Sequence, residues 1–318
     1  MLLVKAIQLT EFSGADAMEY GDVPDPEAGE GQVVIEVSRS GVNFADTHVT
    51  RDDYLAKQEL PLIPGMEVAG RTPDGQRVAA MLTNGGYAQK VAAPQAMTVP
   101  IPDTVSDDQA AALLLQGLTA HALVHRCARL EPGETVVVEA AAGGTGSLAV
   151  QLAKRAGARV IGLASTPEKR ELVARLGADA TADSRAEDLE AAILEANGGN
   201  KVDAVLEMAG GEAFEASMRT LAPFGRMVTF GIASREQNEV ATGALMRTSR
   251  SVVGFWLMHL FTDPAGVAEG IAELYGAVEM GDLEVVIGEV RPLSEARQVH
   301  EDLAGRRTQG KILLDPHR

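Results

Sequence analysis

Between residues 135 and 255, short apolar runs alternate with longer amphipathic stretches. Short runs rich in β-branched residues predict strands, whereas apolar residues that recur every three to four positions predict helices. Strands are predicted over 136–139, 159–163, 180–182, 202–207, 226–230 and 251–255. Helices are predicted to begin near 145 and to cover 166–176, 186–197, 212–221 and 242–247. This alternation predicts an α/β fold with a doubly wound, parallel, six-stranded sheet.

The segments on either side of this region have a different pattern. β-like alternation occurs at 33–37, 77–82 and 88–92, and an apolar helix is predicted over 110–129. Further elements are predicted as a helix over 264–280, a strand over 285–290, a helix over 294–303 and a strand over 311–314. We therefore expect a β-rich, barrel-like domain made of residues 1–118 and 258–318, and a second domain over 119–257.

A turn of small residues follows the first strand of the predicted sheet. Ala141, Gly143 and Gly146 occupy the three glycine positions of a G-x-G-x-x-G fingerprint, with Ala in place of the first Gly. Because a helix begins directly after this turn, the backbone amides at its N-terminus can bind a pyrophosphate. A strand, a glycine-rich turn and a helix within an alternating α/β pattern predict a dinucleotide-binding domain over 119–257.

The end of the second predicted strand indicates which dinucleotide is bound. NAD sites carry an Asp or Glu about 20 residues after the glycines, where it binds the ribose hydroxyls. Here the strand ends in the residues GLAST (162–166), without a carboxylate. Ser165 and Thr166, with Lys169 and Arg170 nearby, can instead bind a 2′-phosphate, which favours NADPH. The alternative is that the two hydroxyl residues only cap the helix and that both cations are solvated.

Composition adds limits on partners and compartment. The chain of 318 residues is long enough for two domains, and its net charge of −17 argues against nucleic acid or an anionic membrane as partner. No apolar run approaches the roughly 18 residues of a membrane span, and we expect a cytoplasmic protein without a leader. Cys127 is the single cysteine, which excludes a four-thiolate zinc site. His121 and His125 lie four residues apart, but no carboxylate motif accompanies them, so we interpret them as positions on a helix face.

Five motifs occur in the order in which a known family has them: GVNFAD (41–46), PLIPGMEVAG (61–70), QGLTA (116–120), AAAGGTG (140–146) and GK (310–311). On these motifs the chain resembles the zinc-free, zeta-crystallin-like quinone oxidoreductases of the medium-chain dehydrogenase/reductase superfamily. The resemblance covers essentially the whole chain. It implies that the β-rich domain is the catalytic domain and that the cofactor is NADPH.

The resemblance also implies an active site without zinc. Zinc alcohol dehydrogenases carry a Cys where Asn43 stands and a His where Met66 stands, and neither Asn nor Met replaces these ligands well. Without a Lewis acid the acceptor must itself be electrophilic, as quinones and α,β-unsaturated carbonyls are. We therefore expect an NADPH-dependent quinone oxidoreductase with no metal. Two alternatives stay open: an NADPH-dependent reductase of enones or enoyl thioesters, and a non-catalytic NADPH-binding protein.

The resemblance further implies roles for individual residues. Asn43 and Thr119 would lie near the nicotinamide and its ribose, and His48 would either donate a proton to the substrate or only line the site. The pyrophosphate would contact Ala142, Gly143, Gly144 and Thr145, and the adenosine ribose phosphate would contact Gly162, Ser165 and Lys169. The remaining cofactor contacts would be Met208, Ala209, Gly210, Phe230, Gly231, Ile232, Gly310 and Lys311.

The last strand of the predicted sheet bears on assembly. Residues 251–255 would form an apolar edge strand, followed by Trp256, Leu257 and Met258. Exposed apolar edges tend to be covered or paired. In this superfamily two such edges commonly join across a two-fold axis. We therefore expect a homodimer.

Overall fold

The computed structural model describes residues 2–318, and the chain divides into two compact units. Unit 1 comprises Met1–Leu115, Tyr275–Glu279 and Val285–Arg318, and unit 2 comprises Gln116–Leu274 and Met280–Glu284. The sequence predicted a return to the first domain at residue 258, whereas the structure groups 258–274 with unit 2. The reason is local packing, because Asp263 accepts a hydrogen bond from Arg126 (3.1 Å) within that unit.

The N-terminal part of unit 1 consists mainly of strands. They are β1 (Leu3–Gln8), β2 (Glu19–Pro24), β3 (Gln32–Val42), β4 (Glu67–Arg71), β5 (Arg77–Met81), β6 (Lys90–Pro94) and β7 (Thr98–Pro100). Two short helices accompany them, α1 (Phe44–Val49) and α2 (Asp107–Leu113), with 3₁₀ turns at Gly14–Ala17 and Gln95–Met97. The alternating residues Val91 and Ala93 of β6 are buried, as expected for a strand that covers a core with one face.

Unit 2 alternates helices and strands. Its strands are β8 (Thr135–Val138), β9 (Arg159–Ala164), β10 (Ala180–Asp183), β11 (Val202–Glu207), β12 (Leu221–Thr229) and β13 (Ser251–Gly254). Its helices are α3 (Leu115–Ala122), α4 (Gly144–Arg155), α5 (Pro167–Arg175), α6 (Leu189–Ala196), α7 (Gly211–Thr220), α8 (Thr242–Thr248) and α9 (Pro264–Glu279), where the first residue of α3 and the last five of α9 are counted with unit 1. A π turn at Leu123–Cys127 follows α3, and a 3₁₀ segment covers Leu257–Thr262.

The strands of unit 2 form one parallel sheet in the order β10-β9-β8-β11-β12-β13. The chain starts at β8, moves outward through β9 and β10, and then continues on the other side of β8 from β11 to β13. This confirms the doubly wound sheet that the alternation predicted. Ligands of such sheets bind at the carboxyl ends of the strands, near the point where the order reverses. That point lies between β8 and β11.

Three elements near the C-terminus complete unit 1. They are β14 (Ile287–Pro292), α10 (Ala296–Ala304) and β15 (Lys311–Asp315), with a 3₁₀ turn at Leu293–Glu295. Both strands join a sheet whose hydrogen-bonded path is β14-β15-β3-β4-β5-β7, with β6 paired to β3. The pairs are antiparallel apart from β14 with β15, and β1 with β2 forms a separate antiparallel pair. This unit is therefore β-rich, as predicted.

The single apolar helix predicted over 110–129 is wrong. α2 ends at Leu113 and α3 begins at Leu115, because the amide of Leu115 donates to the carboxylate of Glu67 (2.8 Å) instead of continuing one helix. The regular helix then ends at Ala122, before the π turn. No helix among residues 2–318 is long and apolar enough to cross a membrane.

Candidate functional site

The residues predicted to bind cofactor or substrate divide between the two units. Unit 2 carries Thr119 and every predicted residue from Ala142 to Ile232, whereas unit 1 carries Asn43, His48, Gly310 and Lys311. Predicted residues near either end of the chain lie in unit 1, and those in the middle of the chain lie in unit 2.

In unit 2, the turn between β8 and α4 directs backbone amides toward the N-terminus of α4. Gly143 is the N-cap residue and has no side chain that could cap the helix, so the first-turn amides of Gly144 and Thr145 can serve an external acceptor. The turn is tight, because Ala140 has a left-handed backbone (φ +46°) and its carbonyl accepts the amide of Gly143 (2.8 Å). A pyrophosphate fits this helix end, where its oxygens meet amide donors and the positive end of the helix dipole.

Two glycines allow close approach around this turn. An ideal Cβ at Gly146 would lie 2.2 Å from the carbonyl oxygen of Ala140, so any side chain there would displace the turn. A Cβ at Gly162 would lie 2.2 Å from Cγ1 of Val173, so β9 and α5 could not pack at their present distance. Gly162 therefore has a packing role, which is independent of any contact with a cofactor.

Helix α3 lies next to the same turn. A Cβ at Gly144 would lie 1.7 Å from Oε1 of Gln116, which shows how closely this side chain approaches the start of α4. Thr119 follows Gln116 by three residues on α3 and is buried. Residues three apart lie on neighbouring positions of one helix face, so Thr119 belongs to the same side of α3 as Gln116.

The carboxyl ends of β11 and β12 bring two more predicted segments together. The amide of Ala233 donates to the carbonyl of Met208 (3.0 Å), and the amide of Ser234 donates to the carbonyl of Ala209 (2.7 Å). Gly210 has a left-handed backbone (φ +74°), which favours glycine at this position. The predicted segments 208–210 and 230–232 thus lie side by side at the carboxyl edge of the sheet.

Two buried carboxyl groups support segment 208–210. Glu139 follows β8 and Glu207 ends β11. One carboxylate oxygen of Glu139 accepts hydrogen bonds from the amides of Met208 (3.2 Å) and Ala209 (3.3 Å), and the other accepts from the hydroxyl of Ser217 (2.9 Å). Burial, and then the charge of Glu207, raise the pKa of Glu139 to about 7. Burial also raises the pKa of Glu207, so the pair retains a proton near neutral pH.

Two of the polar residues after β9 have structural partners. The hydroxyl of Thr166 accepts the amide of Lys169 (3.3 Å) and therefore caps α5. The guanidinium of Arg170 donates to the carbonyl of Ala164 (3.1 Å) and lies 3.4 Å from the carboxylate of Asp183. For Thr166 and Arg170, these partners account for their presence without a ligand.

The remaining polar residues after β9 form a cationic group. The side chain of Lys169 is half-buried, and burial followed by the nearby charge of Arg185 lowers its pKa. Arg185 in turn donates to the carbonyl oxygen of Ser165. Two cations beside a serine suit a dianionic phosphate, because the anion accepts charge-assisted hydrogen bonds and offsets their mutual repulsion.

In unit 1, a buried ion pair holds the side chain of Asn43. The ammonium of Lys311 donates to Oδ1 of Asn43 (2.9 Å) and pairs with Glu67, while Nδ2 of Asn43 donates to the same carboxylate (2.9 Å). Lys311 and Glu67 are 1 % and 0 % exposed. Burial lowers the pKa of Lys311, and the charge of Glu67 acts in the opposite direction. The ammonium of Lys311 thus orients the Asn43 amide and is itself enclosed.

Gly310 gives Lys311 its position. It has a left-handed backbone (φ +60°), and a Cβ there would lie 2.4 Å from the carbonyl oxygen of Val286. Glycine is therefore required for β15 to begin where it does. Gly310 and Lys311 act together as a turn and an anchor for Asn43.

A second buried network fixes the start of α1. Asp46 accepts hydrogen bonds from the amide of Asn43 (2.8 Å) and the hydroxyl of Tyr87 (2.9 Å), and that hydroxyl lies 3.0 Å from Nε2 of His300. Burial raises the pKa of Asp46 to about 7 and lowers that of His300 to about 4. Asn43 is therefore held through its backbone as well as its side chain.

His48 lies on α1 and is nearly buried. Its Nδ1 lies 2.8 Å from Oδ1 of Asp53, and its ring contacts those of Phe44 and Tyr54, with centroid distances of 5.8 and 5.7 Å. A carboxylate on Nδ1 orients the imidazole and favours the tautomer that carries a proton there. In that neutral tautomer Nε2 carries no proton, so the ring donates from Nε2 only when both nitrogens are protonated.

Three side chains of metal-binding type meet on unit 2, where the sequence predicted two unaccompanied histidines. Nε2 of His121 lies 3.0 Å from Oε2 of Glu273, and the rings of His121 and His125 are 4.7 Å apart between centroids. Both histidines lie on the helical segment that begins with α3, and their interpretation as helix-face positions stays a prediction. The carboxylate comes from α9, which lies 152 residues further along the chain.

Comparison with known proteins assigns both units to one family. Residues 29–103 match the family described as alcohol dehydrogenase GroES-like domain, and residues 144–273 match the family described as zinc-binding dehydrogenase. The quinone oxidoreductase of Pseudomonas aeruginosa is 34% identical over 326 residues, which cover 99% of this chain and 100% of the relative. The chain belongs to the quinone oxidoreductases. They are the zinc-free branch of the medium-chain dehydrogenase/reductase superfamily, as the motifs indicated.

Two further similarities extend this result beyond one relative. The 2-haloacrylate reductase of a Burkholderia species is 31% identical over 331 residues, with 99% of both chains covered. The quinone oxidoreductase of Thermus thermophilus, whose structure was also solved as a complex with NADPH, is 38% identical with a TM-score of 0.88. That alignment covers 98% of this chain and 99% of the other.

The residues around the buried ion pair of unit 1 can be compared with the zinc ligands of zinc alcohol dehydrogenases. Asn43 and Met66 stand where zinc alcohol dehydrogenases carry Cys and His ligands, and Glu67 follows Met66 directly. The ammonium of Lys311 lies against both Asn43 and Glu67. These residues do not fit a zinc ion, because an amide and a thioether are poor zinc ligands.

Several residues of the site were not among the predicted ones. Glu67 and Lys311 are each the first residue of a strand whose middle residues are apolar, and buried charges need a partner, but the 244 positions that separate them left the pair unrecognised in the sequence. Asp53 and Arg185 lie in loops whose direction no local pattern determines. The contact of Gln116 with Gly144 likewise depends on how α3 packs.

Proposed function

We propose that this protein is an NADPH-dependent quinone oxidoreductase, which transfers hydride to a quinone or a similar electrophilic acceptor without zinc. The observation that carries this proposal is that Asn43 and Met66 stand where zinc dehydrogenases have metal ligands, and that Lys311 and Glu67 hold the Asn43 amide. Without zinc, the acceptor must be electrophilic by itself. Quinone oxidoreductases that are 34% and 38% identical support this assignment, one of them solved with NADPH.

NADPH supplies the hydride when it is bound, and the residues of unit 2 would hold it. Residues 142–145 would bind the pyrophosphate at the start of α4, and Thr119 and segments 208–210 and 230–232 would contact the nicotinamide half. Gly162, Ser165 and Lys169 would bind the adenosine ribose phosphate, with Arg185 as an additional cation. Unit 2 would thus be the cofactor domain, and unit 1 the catalytic domain with Asn43 and His48.

Lys311 would be a positioning residue in unit 1. Because its ammonium and Glu67 hold both ends of the Asn43 amide, that amide can orient the nicotinamide or the acceptor without first losing side-chain freedom. The predicted contact of Lys311 with the cofactor would then be indirect, through Asn43.

Cofactor preference tests the cationic group. A charge-assisted contact with phosphate contributes roughly 1.5–3 kcal/mol, so Lys169→Ala and Arg185→Ala should each weaken NADPH binding about ten- to a hundredfold. NADH binding should change little, because NADH has no 2′-phosphate. Arg175→Ala is the matched control, since this residue of α5 pairs with Glu284 instead. Titration of protein fluorescence with both nucleotides gives the affinities, and equal losses for both would contradict the assignment.

A second candidate function is the reduction of activated alkenes. It is favoured by the contact between His48 and Asp53, because an enolate in a site without zinc gains from a fixed proton donor. The 2-haloacrylate reductase relative is consistent with it. Quinones should depend on this donor less than enones and enoyl thioesters do, since a quinol oxygen is readily protonated by water.

Turnover of NADPH with a panel of quinones, enones and enoyl thioesters distinguishes quinone reduction from the reduction of activated alkenes. If His48 is the acid, His48→Phe should lower enone turnover about 10²-fold or more, whereas quinone turnover falls much less. Asp53→Asn should act in the same direction. Rates of His48→Phe that are unchanged with both acceptor classes would make His48 a lining residue. No turnover with any acceptor would overturn the enzyme assignment and leave a non-catalytic NADPH-binding protein.

We also propose a homodimer in the cytoplasm. The supporting observation is that β13 ends the hydrogen-bonded path of the unit 2 sheet and therefore presents an edge strand. A strand edge has backbone groups that another copy can pair with. Light scattering at micromolar concentration should give twice the chain mass, and a monomeric mass would exclude this assembly.

A further inference from the structure

We propose that His121, His125 and Glu273 form a binding site for a divalent transition metal ion of the zinc class on the surface of unit 2. The site is separate from Asn43 and Met66 and does not rest on the proposed function. It would link the end of α3 to α9.

The geometry is close to what such an ion needs. One ligand atom from each residue lies within 4.8 Å of the other two, and Nε2 of His121 is already 3.0 Å from Oε2 of Glu273. Bonds of about 2.0–2.2 Å in a tetrahedral site separate ligand atoms by roughly 3.3 Å. Small rotations of the exposed side chains of His125 and Glu273 would therefore complete the arrangement.

His121 is the least exposed of the three ligands. Only 21% of the His121 side chain is exposed, and its Nδ1 faces Gly270, where an ideal Cβ would lie 3.5 Å away. Nε2 is thus directed toward Glu273, one helical turn after Gly270 on α9. The His121 ring thus packs beside Gly270 and presents Nε2, the nitrogen that would bind the metal, to the carboxylate of Glu273.

The ligand chemistry favours zinc over alkaline-earth ions. Two imidazole nitrogens and one carboxylate are typical ligands of Zn²⁺, and exposure to solvent leaves room for a water as fourth ligand. Mg²⁺ prefers oxygen ligands in octahedral geometry, so it should not compete. Burial and the neighbouring His121 lower the pKa of His125, which keeps it in the neutral form that binds metal.

The other charged groups nearby act in opposite directions. The positive charge of Arg155 is felt at both His125 and Glu273, which opposes a cation. Arg155 is, however, paired with Asp282 at 3.0 Å, which offsets much of that charge. The metal would replace the contact between His121 and Glu273, and because protons compete with the metal for the same ligand atoms, binding should weaken as the pH falls.

The full chain, freed of metal with a chelator and dialysed, should be titrated calorimetrically with ZnCl₂. We expect one saturable ion per chain with no comparable signal for MgCl₂. Removal of a residue that only supports a ligand weakens metal binding about 10- to 100-fold, so His125→Gln and Glu273→Gln should weaken it at least that much. Zn²⁺ should raise the Tm of the unmodified chain by about 5 °C at saturating concentration, and this rise should be absent in the double variant.

Two control variants separate this site from other zinc-binding groups. His259→Gln removes an exposed histidine of unit 2 that contacts Trp256, and Cys127→Ser removes the thiol nearest to His125 in sequence. Both should bind Zn²⁺ like the unmodified chain. Unchanged affinity in His125→Gln and Glu273→Gln, or loss of binding in Cys127→Ser alone, would overturn the proposal, as would the lack of saturable binding to the unmodified chain.

Discussion

Each unit buries a carboxyl group beneath a segment proposed to contact cofactor or substrate, but the two carboxyl groups are compensated differently. In unit 1, Glu67 is paired with an ammonium from Lys311, 244 residues further along the chain. In unit 2, Glu139 receives hydrogen bonds from two backbone amides and Ser217, and its nearest titratable neighbour is a second carboxyl group. An ammonium compensates a carboxylate over a wide pH range, whereas a shared proton does so only below its pKa. The first arrangement should therefore be insensitive to pH near neutrality, and the second should not.

Removal of the cation should have the largest effect. Lys311→Met leaves Glu67 buried without its counter-charge, which should lower the free energy of unfolding by about 3–5 kcal/mol. Urea unfolding at pH 7 measures this loss. The double variant with Glu67→Gln should recover part of it, because no unpaired charge is then buried.

The same substitution at an exposed ion pair is the matched control. Lys90 pairs with Asp25 at 2.7 Å, and its side chain is 35% exposed. Lys90→Met should cost less than about 1 kcal/mol. If the two lysine variants lost similar stability, the buried pair would have no special importance and the contrast between the units would disappear.

A change of pH should have an intermediate effect through the buried carboxyl pair of unit 2. Burial raises the pKa of Glu139 from 4.5 to about 7, so folding takes up a proton between these pH values. The stability that this group contributes is fully present below pH 4.5 and is lost as the pH rises through 7. Glu139→Gln removes this dependence, and its stability relative to the unmodified chain should rise by about 2–3 kcal/mol between pH 5 and pH 8.

Unfolding curves of Glu139→Gln and of the unmodified chain at pH 5 and pH 8 give the difference in their free energies of unfolding. Asp46 in unit 1 has a pKa raised in the same direction, but it is present in both chains and cancels. A constant difference at pH 5 and pH 8 would mean that Glu139 is ionised in the folded protein at both.

The smallest effect should come from one hydrogen bond. Ser217→Ala removes a donor to Glu139 and should cost about 1 kcal/mol. Since this donor favours the carboxylate, its loss raises the pKa of Glu139 further, so the cost should be greater at pH 8 than at pH 5. Ser147→Ala is the control, because this buried hydroxyl donates to the carbonyl of Gly144 (3.0 Å) and should cost the same at both.

The two units also differ in how much of them could be predicted. The order of helices and strands in unit 2 followed from local patterns, because β-branched runs and amphipathic stretches reflect interactions within a few residues. Strand β11 was predicted with its observed bounds, and the turn at residues 140–146 indicated the pyrophosphate-binding geometry. What local patterns could not show was a break such as that at Leu115, where a side chain distant in sequence takes a helix amide.

The candidate site was least predictable where its parts come from distant segments. Lys311 was assigned a direct cofactor contact because its motif carried no information about Glu67. Glu273 was not connected with His121, since spacing along one helix cannot reveal a ligand from another. For both, the deciding contact joins residues more than 150 positions apart. Such contacts depend on tertiary packing, which a single sequence does not display.

The contact of Lys311 with Asn43 and Glu67 has a consequence for how a zinc site could evolve in this fold. Asn43→Cys and Met66→His would restore the types of ligand that zinc alcohol dehydrogenases have at these positions. Asn43→Cys would also remove the amide that Lys311 and Glu67 now share, so the buried ion pair would lose a common hydrogen-bond partner before any metal could bind. The first step from one chemistry toward the other is therefore expected to lower the stability of unit 1.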